Sequence, residues 1–204
     1  MKLGVLASGG GSNLQSLINA IGTGYLTAEI AVVISNNSRS GALERASRQG
    51  IPGIHMSSQT HPDPADLDRA VLAAFTEYGV EFVILAGYMK KLRSKTLSRY
   101  RNHVINIHPA LLPDFGGKGM YGMHVHRAVI AAGRSESGPT VHLVDEVYDE
   151  GPVLSQASIP VKLGDTAEAL QARVLEAEHL IYPQTLREIS TGLIRIGDET
   201  PPVV

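Results

Sequence analysis

A chain of 204 residues with no cysteine and a formal net charge of −2 excludes several classes before any motif is read. Disulfide frameworks, thiolate nucleophiles and cysteine-based zinc sites are ruled out, and the near-balanced charge offers no bulk field for nucleic acid or an anionic membrane surface. No apolar run reaches the ~18 residues of a spanning helix, and the opening MKLGVLASGGG lacks a signal-peptide stretch, so a single cytoplasmic domain over residues 1–204 is expected.

In chain order, KLGVLA (2–7) reads as a short buried strand that breaks at SGGGSN. Leu14, Leu17, Ile18 and Ile21 then recur at helical spacing, with Ser12 as the expected N-cap. EIAVVIS (29–35) is a second strand, and SGALERASRQG (40–50) is a helix closed by Gly50. IPGIHM (51–56) is a third strand. DPADLDRAVLAAFTEYG (63–79) is a helix with Pro64 near its start and Gly79 at its end. VEFVILAG (80–87) is nearly all apolar, as a strand covered on both faces must be. SKTLSRY (94–100) is a brief helix and HVINIHP (103–109) a fifth strand.

The alternation to this point predicts an α/β fold with a doubly wound, mostly parallel sheet. Beyond residue 135 the texture changes. GPTVHLVD (138–145) and GPVLSQASIPV (151–161) are strand-like runs with no helix between them, and they predict an antiparallel C-terminal extension. TAEALQARVLEAEHLIYPQTLREIS (166–190) is a long helix in which Pro183 is expected to place a kink or start a new turn. The tail GDETPPVV is expected to fray.

The loop ASGGGSN lies between a strand and a helix. Such a place presents free backbone N–H groups and the positive end of a helix dipole, which suits a phosphate. Gly9, Gly10 and Gly11 let the backbone approach an anion closely, and Ser12 and Asn13 add side-chain donors. The alternative is a tight turn with an ordinary cap. The dinucleotide fingerprint is absent: counted from Gly9, Leu14 stands at the third glycine position, and SNNSRS carries no acid at the end of the second strand. No Lys-Ser/Thr pair follows either, so the expected ligand has a single phosphate.

In HVINIHP the period of two puts Val104, Asn106 and His108 on one face, and Pro109 marks the strand's end. Ligands of open α/β sheets bind beyond the carboxyl ends of strands. Asn106 offers an amide donor and His108 a group suited to proton work, so the pair fits stabilisation of an oxyanion beside a proton shuttle. A loop-capping Asn beside a merely hydrogen-bonded His fits it equally. The run DEVYDE adds Asp145, Glu146, Asp149 and Glu150, either as a partner for His108 or as a solvated acidic turn. HVH (124–126) puts two histidines on one face if it is a strand, but it reads equally as a loop entering a helix, and no third ligand stands at motif spacing.

Together, VLASGGGSNLQSLI, VVISN, GIP, VILAGYMKKL, VINIHPALLP, the H-x-H-R of 124–127, GPTVHLVDEVYDEGPVL and RVLEAEHLIYP resemble the phosphoribosylglycinamide formyltransferases, the folate-dependent transformylases of purine synthesis. The resemblance runs from about residue 2 to residue 187. It implies a Rossmann-type formyltransferase fold and transfer of a formyl group from 10-formyltetrahydrofolate to the amine of 5'-phosphoribosylglycinamide, without a metal. It implies Asn106, His108 and Asp149 as the catalytic set: oxyanion donor, proton donor, and the acid that tunes His108 and helps move the proton. Gly11, Ser12 and Asn13 match the phosphate loop, and Glu178 matches the acid at the ribonucleotide. Met89, Lys90, Lys91 and Leu92, together with Asp145, Glu146, Val147, Tyr148 and Asp149, match the segments that wrap the pterin; Asn106 also faces the folate. The partners so implied are small molecules, not nucleic acid or membrane, with the enzyme a monomer or homodimer.

Some positions depart from the pattern. Gly116 stands where many members have Pro, KGMYG (118–122) is additional to the shortest members, and Leu143 stands where an aromatic or Val is more usual. The basic residue some members use for the folate glutamate tail has no match in QTHPDPADLD. The nearest rival is formyltetrahydrofolate deformylase, a hydrolase expected to carry an additional N-terminal domain. Methionyl-tRNA formyltransferase is expected to add a C-terminal RNA-binding domain. A non-catalytic nucleotide-binding module would keep the glycine loop without needing Asn106, His108 and Asp149 together.

Overall fold

The structure, a computed structural model, describes residues 1–197. Five strands run parallel: β1 (Lys2–Ala7), β2 (Glu29–Ser35), β3 (Gly53–His55), β4 (Phe82–Leu85) and β5 (Val104–His108). A two-residue strand, β6 (Glu136–Ser137), precedes β7 (Thr140–Leu143) and β8 (Val153–Gln156), and these last two extend the sheet antiparallel from β5. The order is β3-β2-β1-β4-β5-β7-β8. Helices α1 (Ser12–Gly22), α2 (Gly41–Arg48), α3 (Pro64–Glu77) and α4 (Ser94–Arg99) connect the parallel strands in turn, α5 (Met123–Ala131) follows β5, and α6 (Ala167–Ser190) closes the described chain.

Alternation along the strands builds two cores. Leu3 and Val5 of β1 pack with Leu14 and Leu17 of α1 and Tyr182 of α6 on one face. Leu6 packs with Phe75 of α3 and with Tyr100 on the other. The sheet is thus covered on both sides, as its continuous apolar strands require. Tyr182 is fully buried, and its hydroxyl reaches Leu85 O at 3.1 Å and Ile105 O at 2.9 Å. That contact pins α6 against the end of β4 and the start of β5. No helix among the described residues is long and apolar enough to cross a membrane.

Several local expectations change. The N-cap of α1 is Gly11, not Ser12: Gly11 adopts φ 74°, and no side chain caps the helix. GPVLSQASIPV is two strands, because the chain leaves the main sheet after Gln156 and β9 (Ile159–Pro160) pairs with β6. Gly138 allows that crossing, since a Cβ there would lie 1.8 Å from Ala157 O. Pro183 sits inside an uninterrupted α6 and starts no new element. The segment 123–131 is a helix, so His124 and His126 are not neighbours on a strand face; two residues apart on a helix, they point in different directions. Of GDETPPVV, residues 198–204 lie outside the described residues.

Candidate active site

The connections reverse direction between β1 and β4, and a crevice opens beyond their carboxyl ends, as doubly wound sheets dictate. Ser8, just past β1, ties its two walls together. Its N–H donates to Gly87 O at 3.1 Å, and its hydroxyl accepts from Met89 N–H at 2.7 Å. A cavity of about 570 Å3 lies there, bordered by Asn13, Met89–Leu92, Asn106, His108, Asp145, Val147–Asp149 and Glu178. Gly11 and Ser12 do not line it, and Glu146 borders a neighbouring groove instead.

At the cavity's centre, β5 and β7 pair antiparallel with Asn106 opposite His142. Opposed residues on paired strands share a face, and Asn106 Nδ2 lies 3.0 Å from His142 Nε2. His142 Nδ1 lies 2.8 Å from Leu143 O. A carbonyl only accepts, so Nδ1 carries the hydrogen, and Nε2 of the neutral ring accepts from the Asn106 amide. Burial lowers the His142 pKa and outweighs the opposing pull of the Leu143 carbonyl and Asp149, so the ring stays neutral. Asn106 is thereby oriented with one amide hydrogen committed and the other free.

His108 is buried, and its Nε2–H donates to Phe115 O at 2.8 Å. Its Nδ1 faces Asp149 Oδ2 at 3.6 Å. Asp149 Oδ1 lies 3.6 Å from His142 Nε2, and Gly117 N–H donates to Oδ2 at 2.9 Å. Asp149 holds the left-handed backbone at φ 58°, a conformation Asp tolerates better than most residues. Beneath it, a Cβ on Gly116 would come within 2.6 Å of Leu112 Cδ2 and 3.2 Å of Asp149 Cβ, so a glycine there lets the loop pass under the carboxylate.

On the α1 side, Asn13 Nδ2 donates to Glu178 Oε2 at 2.6 Å, and both residues are buried. Burial raises the Glu178 pKa to about 7, with the Asn13 bond opposing only in part. Asn13 Oδ1 has no partner among the described residues. On the opposite side, Lys91 Nζ donates to Glu146 O at 2.6 Å and lies 5.0 Å from the centre of the Tyr148 ring, stapling the β4–α4 loop to the β7–β8 loop. Met89, Val147 and Tyr148 are exposed there, an apolar mouth suited to a flat ring.

The structure thus brings Asn106, His108 and Asp149 together and sets Asn13 and Glu178 on one side of them and the 89–92 and 145–149 loops on the other. It adds two residues, one that the sequence did not single out and one that it offered only as half of a histidine pair. His142 is the Asn106 partner. His126 of α5 is buried at the cavity wall, its pKa lowered to about 4 by burial and by the charge of His108. Among the described residues, no three His, Cys, Asp or Glu side chains gather as metal ligands.

The formyl transferase family profile matches residues 1–186. The chain belongs to the formyl transferase family. Within that family it is 43% identical over 189 residues to the chloroplastic phosphoribosylglycinamide formyltransferase of Vigna unguiculata, covering 92% of this chain and 60% of that protein. It is 36% identical to the phosphoribosylglycinamide formyltransferase of Haemophilus influenzae, over 97% of this chain and 91% of the relative. The formyl transferase fold here matches the crystal structure of glycinamide ribonucleotide transformylase 1 from Symbiobacterium toebii with a TM-score of 0.90 and 39% identity, over 97% of this chain and 91% of that one.

Proposed function

We propose that this formyl transferase moves the formyl group of 10-formyltetrahydrofolate onto the amine of 5'-phosphoribosylglycinamide. The observation that carries the reading is the alignment of Asn106, His108 and Asp149 in one cavity, between a buried Asn13–Glu178 pair and an apolar two-loop mouth. The phosphate end of the ribonucleotide lies at Gly11, Ser12 and Asn13, and Glu178 takes the ribose hydroxyls. The pterin lies between residues 89–92 and 145–149. Similarity to relatives named for this activity supports the same assignment.

In the reaction so assigned, the glycinamide nitrogen attacks the formyl carbon and the carbonyl π electrons move to oxygen. The free amide hydrogen of Asn106 meets that oxyanion. Its direction is fixed in advance by His142, so no reorganisation is needed as charge develops. The Nε2–H of His108 is held by Phe115 O, so a mobile proton on this ring resides at Nδ1, which faces Asp149 and the cavity. As the C–N10 bond breaks, N10 receives that proton, and the attacking amine releases one toward the Asp149 carboxylate. One C–N bond forms, one breaks and the protons balance, without a metal or a covalent enzyme intermediate.

Release of tetrahydrofolate, followed with and without phosphoribosylglycinamide, tests the proposal. Release that requires the ribonucleotide and yields its N-formyl product supports the transferase. Equal release in its absence would make the chain a hydrolase of the deformylase kind.

A further inference from the structure

In the glycine loop after β1, three successive carbonyls are each engaged. Gly9 O accepts from Ala42 N–H at 3.2 Å, Gly10 O from Arg45 Nε at 2.9 Å, and Gly11 O from Gln15 N–H at 2.9 Å. The first turn of α2 is pressed against the loop: a Cβ on Gly41 would lie 2.7 Å from Gly10 O, and one on Gly11 2.8 Å from Ala42 Cα. Arg45 reaches back from the second turn of α2, and its Nη1 also donates to Gln15 Oε1 at 2.9 Å. One guanidinium therefore ties α2 to the loop and to α1.

The consequence is directional. In a trans peptide the C=O and the following N–H point opposite ways. Holding Gly10 O on Arg45 turns the Gly11 N–H the other way, beside the uncapped amides of the first turn of α1. A carbonyl facing an anion repels it, and glycine has the freedom to turn one there. The Arg45 charge also reaches α6. It pairs with no carboxylate among the described residues, and after burial it is the next cause lowering the pKa of His179, the neighbour of Glu178 on α6.

We propose that Arg45 is a positioning residue for the phosphate end of the ribonucleotide: it keeps the Gly10 carbonyl out of the anion site and adds an unpaired positive charge behind it. The proposal rests on the assignment of the glycine loop to the phosphate. A lysine at 45 keeps the charge but cannot hold Gly10 O and Gln15 Oε1 in one planar fork.

The test compares KM for phosphoribosylglycinamide, for its dephosphorylated riboside and for 10-formyltetrahydrofolate in wild type, Arg45→Gln and Arg45→Lys. Arg45→Gln should raise the ribonucleotide KM about tenfold, the scale of one charge-assisted hydrogen bond, with the riboside and folate KM values within about twofold of wild type. Arg45→Lys should fall between, and its retained charge keeps the comparison open if the glutamine variant does not fold. If Arg45→Gln leaves the preference for ribonucleotide over riboside intact, or raises all three KM values together, Arg45 has no such role. If the wild type itself shows no preference for the phosphorylated substrate, the phosphate assignment of the loop fails, and the Arg45 proposal falls with it.

Discussion

Glu178 offers a prediction whose size follows from its surroundings. Burial lifts its pKa from 4.5 to about 7 in the folded chain. A raised carboxyl pKa means that the folded state holds the proton more tightly than the unfolded state. The stability associated with the protonated acid is then full below about pH 4.5, is lost as pH rises toward 7, and stays lost above it. At 1.36 kcal/mol per unit, the span amounts to about 3 kcal/mol. Glu178→Gln removes the titration but keeps an oxygen for the Asn13 amide. Urea unfolding of both proteins, followed by far-ultraviolet circular dichroism at about pH 4 and about pH 8, isolates the effect, because every other titrating group cancels in the double difference. Relative to wild type, the variant should gain about 3 kcal/mol between the two pH values. If Glu178 takes the ribose hydroxyls as proposed, the variant's ribonucleotide KM should rise at pH 8, where the wild-type side chain is ionised. A stability difference that stays constant across the range would show that Glu178 is not held in a desolvated, pKa-raised state.

Other consequences are direct. If Asn106 is the oxyanion donor proposed, Asn106→Ala should lower kcat about a hundredfold, or ~3 kcal/mol, with both KM values nearly unchanged; a kcat within about threefold of wild type refutes the role. Asp149→Asn keeps an oxygen for Gly117 N–H but removes the negative charge 3.6 Å from both imidazoles, so single-turnover formyl transfer should slow about a hundredfold or more while the chain stays folded. Gly11→Val forces a side chain onto φ 74° and against Ala42; thermal unfolding should show a loss of about 1–3 kcal/mol, and the ribonucleotide KM should rise far more than the folate KM.

Much of this was legible in the sequence because it is local. The parallel strands are apolar runs separated by helices with Gly50 and Gly79 at their ends, and both glycines take positive φ. The face shared by Asn106 and His108 follows from the strand period alone. The expected elements fail where the signal is weak or non-local. Helix α5 starts after Gly122 with no side-chain cap, and its His-Val-His run imitates strand alternation, so neither the usual start signal nor a clear period marks it. His142 lies 36 residues from Asn106, and only the antiparallel register of β7 on β5 places the two opposite one another. Periodicity says which residues share a face of one strand; it cannot say which strand lies alongside or in what register. The Arg45 contact is of the same kind: α2 reads as an ordinary surface helix until its first turn is seen against the glycine loop.

The two histidines beside Asp149 divide their work according to what each ring nitrogen is tied to. His142 has Nδ1 bound to a strand carbonyl and Nε2 bound to an amide, and burial keeps the ring neutral, so its nitrogens are committed and it serves as a fixed acceptor. His108 is tied at Nε2 only, by a loop carbonyl, which leaves Nδ1 facing the carboxylate and the cavity. One ring therefore sets the direction of Asn106, and the other keeps a nitrogen available for a proton. Asp149 stands at the same distance from both, and its second bond, from Gly117 N–H, ties it to the loop whose Phe115 carbonyl orients His108. On the proposed mechanism, the proton path at His108 and the His142 that orients the oxyanion donor thus face one carboxylate, which segment 115–117 helps to hold, so a shift of that segment reaches both through Asp149.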